Sequence, residues 1–377
     1  MKDLATLCDV PVVPVISVHE HVALGRPIWP DFATAAGLRH CRGGLPVDCE
    51  PGLPAAAALP VDEAVWGGYP DSHFGHFAAQ RLPRLPFARL KWPRRSYLFT
   101  LGPGLQESDV AAWTWAALDW VGLPRWQVWL VTTPVKVARR HAGFQAKMLP
   151  KGRPSPCYLD ALDGLAALQV LAPQPADMVY VSCAALPMAG GGALAGEAYL
   201  VSVLKQLGIS VLDPSTATLD QQLAVYAGAS HLIFSEGSAM HGRQLRGRLP
   251  QEIAVLRRRR GRSMAREQLA PRVTTLRYCD ATSGALIPQW KNGQPRPDPA
   301  LALYNLPDLF AAFAKLGVDL SLVWDDEAFR AAAMQDIAAW MTVRRPSPPL
   351  LAQFQSLLAE QGLATPSSSS SILISSP

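Results

Sequence analysis

The sequence predicts an α/β protein, and three observations carry that reading. Apolar strand-like runs alternate with helix-periodic segments along most of the 377 residues. From Asp177 to Tyr278 the order is strand, helix, strand, helix, as in a parallel, doubly wound sheet. One run, His231-Leu232-Ile233-Phe234, ends in Ser235-Glu236-Gly237-Ser238 before a helix-permissive Ala239-Met240-His241-Gly242. A turn of that kind suits a ligand, because glycine lets it approach the backbone and free N–H groups face it. It also serves as a plain βα turn, and its surroundings decide between the two.

Length and composition set the bounds. The chain suggests about two domains, and 49% hydrophobic residues suffice for a core in each. No apolar run approaches the ~20 residues that cross a bilayer. Met1-Lys2-Asp3 opens without a signal-like apolar segment, so a soluble cytoplasmic protein is expected. The net charge of +5 gathers partly in Arg257-Arg258-Arg259-Arg260-Gly261-Arg262. Such a run is a solvated face or a site for an anionic ligand or membrane surface, and the mild total disfavours coating nucleic acid. Six cysteines without a CxxC pair point to reduced thiols.

In the first half, Pro11 to Val18 reads as a strand. His19-Glu20-His21 and His40-Cys41 lack the third and fourth partners of a metal site, so no metal is assigned. Val61 to Trp66 is a strand leading through Gly67-Gly68 to a short amphipathic helix, with Asp71 or Ser72 as its cap. His73 and His76, three apart, project from similar faces near its start. They form a polar cluster or, equally, one core and one surface histidine. Ser96 to Leu101 is a strand, Ser108 to Val121 a helix, Trp126 to Val131 a strand, and Pro134 to Lys147 at least partly helical. Tryptophans at helical spacing, such as Trp113 and Trp120, read as core.

Lys151 to Pro156 reads as a linker. Beyond it, Asp177 to Ser182, Ile209 to Leu212, His231 to Phe234, Glu252 to Leu256 and Val273 to Tyr278 are strands. Leu194 to Leu207 and Thr218 to Ala229 are helices. In such a sheet ligands sit beyond the carboxyl ends of the strands, where Ser182 and Ser235-Glu236 fall. Gly190-Gly191-Gly192 lacks the spacing of a dinucleotide fingerprint. Residues 300–345 read as helical, with Asp325-Asp326-Glu327 at a helix start. The Ser-rich stretch from Thr365 to Pro377 reads as disordered.

Two ordered motifs resemble glycosyltransferase family 61, especially its bacterial capsular-polysaccharide members. The first runs from Gly67-Gly68 through His73-Phe74-Gly75-His76-Phe77 to Leu82-Pro83-Arg84-Leu85. The second joins Tyr180-Val181-Ser182, Gln222 to Ala229, and Ser235-Glu236-Gly237-Ser238-Ala239-Met240-His241. The resemblance implies a GT-B architecture, two Rossmann-like domains with parallel sheets facing across a cleft. It divides the chain into 1–150, an acceptor-side domain; 151–345, a nucleotide-sugar-binding domain; and 346–377, a helix and tail. It implies an inverting, metal-independent transferase using a nucleotide sugar, commonly a UDP-sugar, in polysaccharide biosynthesis. His76, with His73 next, is then the expected base, and Asp71 and Glu236 the fallback. Ser182, Gln222, Ser235, Gly237, Ser238 and Arg243 are the expected donor contacts. The chain departs from the family where arginines are usual, at Cys183 and at Gly190-Gly191-Gly192; Arg243, Arg246 or Lys205 are candidate substitutes. A degenerate transferase fold that binds a glycan or nucleotide is the alternative.

Overall fold

Valine-rich alternation starts the chain as a long strand that doubles back on itself. The computed structural model describes residues 4–19, 22–29, 38–42, 45–46, 48–49, 58–146, 152–189 and 191–363. Glu20-His21 of the candidate metal group, Gly190, Lys151 and the Ser-rich tail lie outside the described residues. β1 (Leu4–His19) and β2 (Val22–Pro27) form an antiparallel hairpin. They join β3 (Asp48–Cys49), β4 (Leu59–Gly68), β5 (Tyr97–Thr100), β6 (Val128–Val131) and β7 (Val135–Gly143) in one sheet of order β3-β2-β1-β7-β4-β5-β6.

This first sheet is mixed, which corrects the expectation of parallel sheets in both halves. β1 is antiparallel to β2 and β7, whereas β7, β4, β5 and β6 run parallel. A second correction concerns Pro134–Lys147, expected as partly helical. Val135 and Val137 are buried and alternate with exposed Lys136 and Ala138, and the segment fills the slot between β1 and β4. Pairing on both edges outweighs the helix preference of its Ala-Arg-Arg run.

Three helices lie where the halves meet, α1 (Leu85–Lys91), α2 (Ala112–Trp120) and α3 (Pro156–Ala167), whereas α4 (Glu197–Gln206) packs within the second half. The linker composition concealed α3, which begins at Pro156 with Ser155 Oγ accepting the Tyr158 N–H at 3.2 Å. α5 (Leu219–Gly228) starts on a Thr218/Gln221 capping box. α6 (Ala239–Arg243) is short.

The second sheet holds β8 (Ala176–Val181), β9 (Ser210–Leu212), β10 (Ala229–Ser235), β11 (Glu252–Arg257) and β12 (Thr275–Asp280). Its order is β9-β8-β10-β11-β12 and every pairing is parallel. In chain order this is 2-1-3-4-5, so the winding reverses between β8 and β10. One face packs on α4 and on α7 (Leu306–Ala314), α8 (Asp326–Arg344) and α9 (Pro348–Glu360) through Tyr180, Ile233, Leu204, Phe313 and Trp340. Asp325 caps α8, accepting the Glu327 and Ala328 N–H groups. Leu301–Tyr304, expected as helical, is a strand of a small sheet.

The other face joins the first half. Val179, Val181, Phe234 and Leu223 share one buried apolar set with Val65, Phe77, Leu85, Tyr97 and Trp120. The Trp120 indole donates to the Leu245 carbonyl at 3.0 Å. Among the described residues no helix is long and apolar enough to cross a membrane.

Candidate functional site

The reversal between β8 and β10 places two turns side by side, Ser182-Cys183 after β8 and Ser235-Glu236-Gly237-Ser238 after β10. They touch closely. A Cβ on Gly237 would lie 2.7 Å from Cys183 Sγ, so glycine is required here by the neighbouring turn. Burial pushes the Cys183 thiol well up from its usual range.

Glu197, the first residue of α4, sits beneath both turns with no exposure. Its carboxyl accepts the Tyr180 hydroxyl and the Cys183 N–H, each at 2.8 Å, and the Ser235 hydroxyl at 3.2 Å. Burial raises its pKa to about 7, against the lowering effect of those hydrogen bonds. Sequence reading did not single out Glu197. Its one signal was an acid opening a helix after Gly196, whose φ is 82°.

Glu236 is also fully buried, but it is committed to the arginine run. Its Oε2 accepts the backbone N–H groups of Arg258 at 3.0 Å and Arg259 at 3.2 Å, and Oε1 pairs with the Arg259 guanidinium at 2.7 Å. These contacts leave Glu236 as an anchor, not a free base or hydroxyl acceptor. Arg258 donates to Ala300 O at 2.9 Å and packs where a side chain on Gly192 would stand. Arg257 bonds Asp280. Three of the run's arginines are thus held by the protein, leaving Arg260 and Arg262 as its exposed members. The cationic groups brought near the two turns are Arg258 and Arg259.

The first half contributes its imidazoles. After Gly67-Gly68 the chain makes one α turn, Phe74–His76, then a π turn, Phe77–Arg81. The cap is His73, not Asp71 or Ser72: His73 Nδ1 accepts the His76 N–H at 3.3 Å. With Nδ1 an acceptor, the proton of the neutral ring is on Nε2, which lies 3.5 Å from Ser238 Oγ. The His73 and His76 rings are 4.6 Å apart. A Cβ on Gly75 would meet His241 at 3.0 Å and Ser238 Oγ at 3.1 Å, so a third imidazole adjoins the pair. Asp71 accepts the His73 N–H at 3.0 Å and the Tyr69 hydroxyl at 3.1 Å, and pairs with Arg81 at 3.3 Å. Its place is to hold the loop.

The structure therefore brings His73, His76, Ser235, Gly237, Ser238 and Ser182 to one locality, with Asp71 and Glu236 behind them. Two expected contacts are elsewhere. Gln222 Nε2 is spent on the carbonyls of Pro214 and Ala217, each at 3.1 Å. Arg243 is fully buried and bonds Gln251 and the Gly247 carbonyl, which corrects its assignment as a donor contact. Of the other candidate substitutes for the absent family arginines, Arg246 stacks on Trp120, and Lys205 falls in the last turn of α4, the end away from the turns. A cavity of about 510 Å³ runs along β9 past Ser210, Asp213 and Gln221 and shares no lining residue with the two turns. Among the described residues no group of three potential metal ligands is gathered. No protein-family model matches the chain, and no curated protein matches it.

Proposed function

We propose that the chain is an inverting glycosyltransferase of the GT-B kind, acting in the cytoplasm. It would move a sugar from a nucleotide sugar, a UDP-sugar by the resemblance, to a hydroxyl of a glycan or glycoconjugate in polysaccharide synthesis. The observation that carries the reading is the approach of His73 to Ser238 across the two halves at 3.5 Å. It sets imidazoles against a strand-end turn at the point where α/β sheets of this winding hold ligands.

In this mechanism the turns after β8 and β10 receive the donor, and backbone N–H groups together with the Arg258–Arg259 charge favour the leaving diphosphate. His76 takes the acceptor proton as the sugar–phosphate bond breaks, since an imidazole ordinarily titrates near neutrality. His73, fixed by its bond from the His76 N–H, donates from Nε2 toward Ser238. Both carboxylates, Asp71 and Glu236, are held by arginines and serve to position these groups.

The test is UDP release from a panel of UDP-sugars with glycan acceptors. His76→Ala is expected to lower turnover by about 10²–10⁴-fold, and unchanged turnover would remove the assignment. The engagement of both carboxylates also favours a second reading, a degenerate transferase fold that binds a nucleotide or glycan without turnover. Thermal-shift responses to nucleotide sugars with no UDP release would select it.

A further inference from the structure

The cavity along β9 stands apart from the two turns and has a chemistry of its own. β9 is the edge strand of the second sheet, and α5 lies chiefly over β8 and β10, with Tyr226 set against Phe234. That leaves a hollow of about 510 Å³ between the edge strand and α5, a size that holds a small ligand. Val179 and Leu212, both buried, give it an apolar floor, and Pro175 and Val225 line it further.

The protein braces the walls itself. Asp213 Oδ1 accepts the N–H and the hydroxyl of Ser215 at 2.8 and 2.7 Å. Thr216 donates to the Asp213 carbonyl at 3.3 Å, and Gln222 ties the carbonyls of Pro214 and Ala217. Gln221 closes the capping box of α5, its Oε1 accepting the Thr218 N–H at 2.8 Å. Among the described residues these bonds leave spare groups on the lining: Asp213 Oδ2 as an acceptor, the Gln221 amide N–H groups as donors, and the Ser210 hydroxyl as either. On β9 the Leu212 carbonyl accepts the Ser182 N–H at 2.9 Å, so Val211, one residue back, turns its N–H and C=O to the open edge.

This lining selects among ligands. Among the described residues no Lys, Arg or His lines the cavity and Asp213 is its one charge, so a phosphate or carboxylate ligand is disfavoured. Nor does any aromatic ring among them offer a base a stacking face. One outward-facing residue on a three-residue strand is too few for a peptide to add as a further strand. What fits is a ligand with hydroxyls to bond Asp213, Gln221 and Ser210 and with C–H faces to cover Val179 and Val225. We propose that the cavity between β9 and α5 binds a neutral saccharide. The site does not depend on the transferase reading.

The test is saturation-transfer NMR of the full chain with maltose, cellobiose, lactose and sucrose, and with phosphate, uridine and putrescine for comparison. At least one disaccharide is expected to saturate with a Kd of about 1 mM. Asp213→Asn keeps the Ser215 bonds through its amide oxygen but replaces the spare acceptor with a donor, and is expected to raise that Kd about tenfold or more. Ser210→Trp fills the hollow from an exposed position and abolishes binding. The proposal is overturned if no disaccharide saturates below about 20 mM, or if only phosphate, uridine or putrescine binds. It is also overturned if binding survives Ser210→Trp, or if Asp213→Asn leaves Kd unchanged. Should Ser210→Trp fail to fold, as read by circular dichroism, the Asp213→Asn Kd decides alone. Binding is read without turnover, so an absence of transferase activity does not alter the outcome.

Discussion

Glu197 and Glu236 are both buried at the ends of neighbouring strands, yet their partners give them opposite characters. Glu197 faces hydroxyls and an amide, so burial wins and its folded pKa of about 7 stands above the unfolded 4.5. Between those values the folded chain keeps a proton that the unfolded chain has released. Its contribution to stability is complete below pH 4.5 and is lost as pH rises toward 7, by about 3 kcal/mol. Glu197→Gln mimics the protonated carboxyl. It is expected to match the wild type in urea midpoint at pH 4.5 and to exceed it at pH 8; parallel pH profiles would count against this. Glu236 has its guanidinium and two backbone donors. Glu236→Gln leaves Arg259 without its buried counter-charge, and unfolding should become easier by about 3 kcal/mol, read by denaturant titration.

The two strand-end turns work as one unit because nothing larger than glycine fits at Gly237. Gly237→Ala drives a methyl against Cys183 Sγ and is expected to cost about 2 kcal/mol. Cys183→Ala removes the sulfur that the methyl meets, so the double variant should regain most of the lost stability in a double-mutant cycle. If the two losses simply add, the contact between the turns is not what constrains Gly237. The same closeness explains why the local sequence was only half informative. Strand, turn and helix were legible from apolar runs ending in Ser-Glu-Gly-Ser. That Glu236 points back to Arg258 and Arg259 was not, since it depends on the parallel placement of β11 beside β10. β7 was hidden for a similar reason: its Ala-Arg-Arg-His run has no strand character until β1 and β4 flank it.

At the scale of the molecule the halves share a core, so they should unfold together. Trp120 is the clearest link, 5% exposed among residues of both halves and bonded to the Leu245 carbonyl. Trp120→Ala is expected to cost about 4 kcal/mol and to lower hydrogen-exchange protection in β5 and β10 alike. Loss of protection in the first half alone would show two independent bodies. A division near residue 150 was the expectation from the sequence, and the core shared across it was not legible: apolar spacing marks which residues are buried without saying against what. That the His73/His76 pair and the Ser235–Ser238 turn belong to one site was expected through family likeness, not from any property of the residues themselves; the approach of His73 to Ser238 was not foreseen. Cys183 adds a consequence of its own. Its sulfur is shut beneath Gly237, while Cys8 and Cys157 are open to solvent. In a maleimide time course followed by peptide mapping, those two label at once, and Cys183 labels only when the crest of the sheet parts. The unaltered chain therefore carries its own reporter for how often that crest opens, and a ligand seated there would slow the reading.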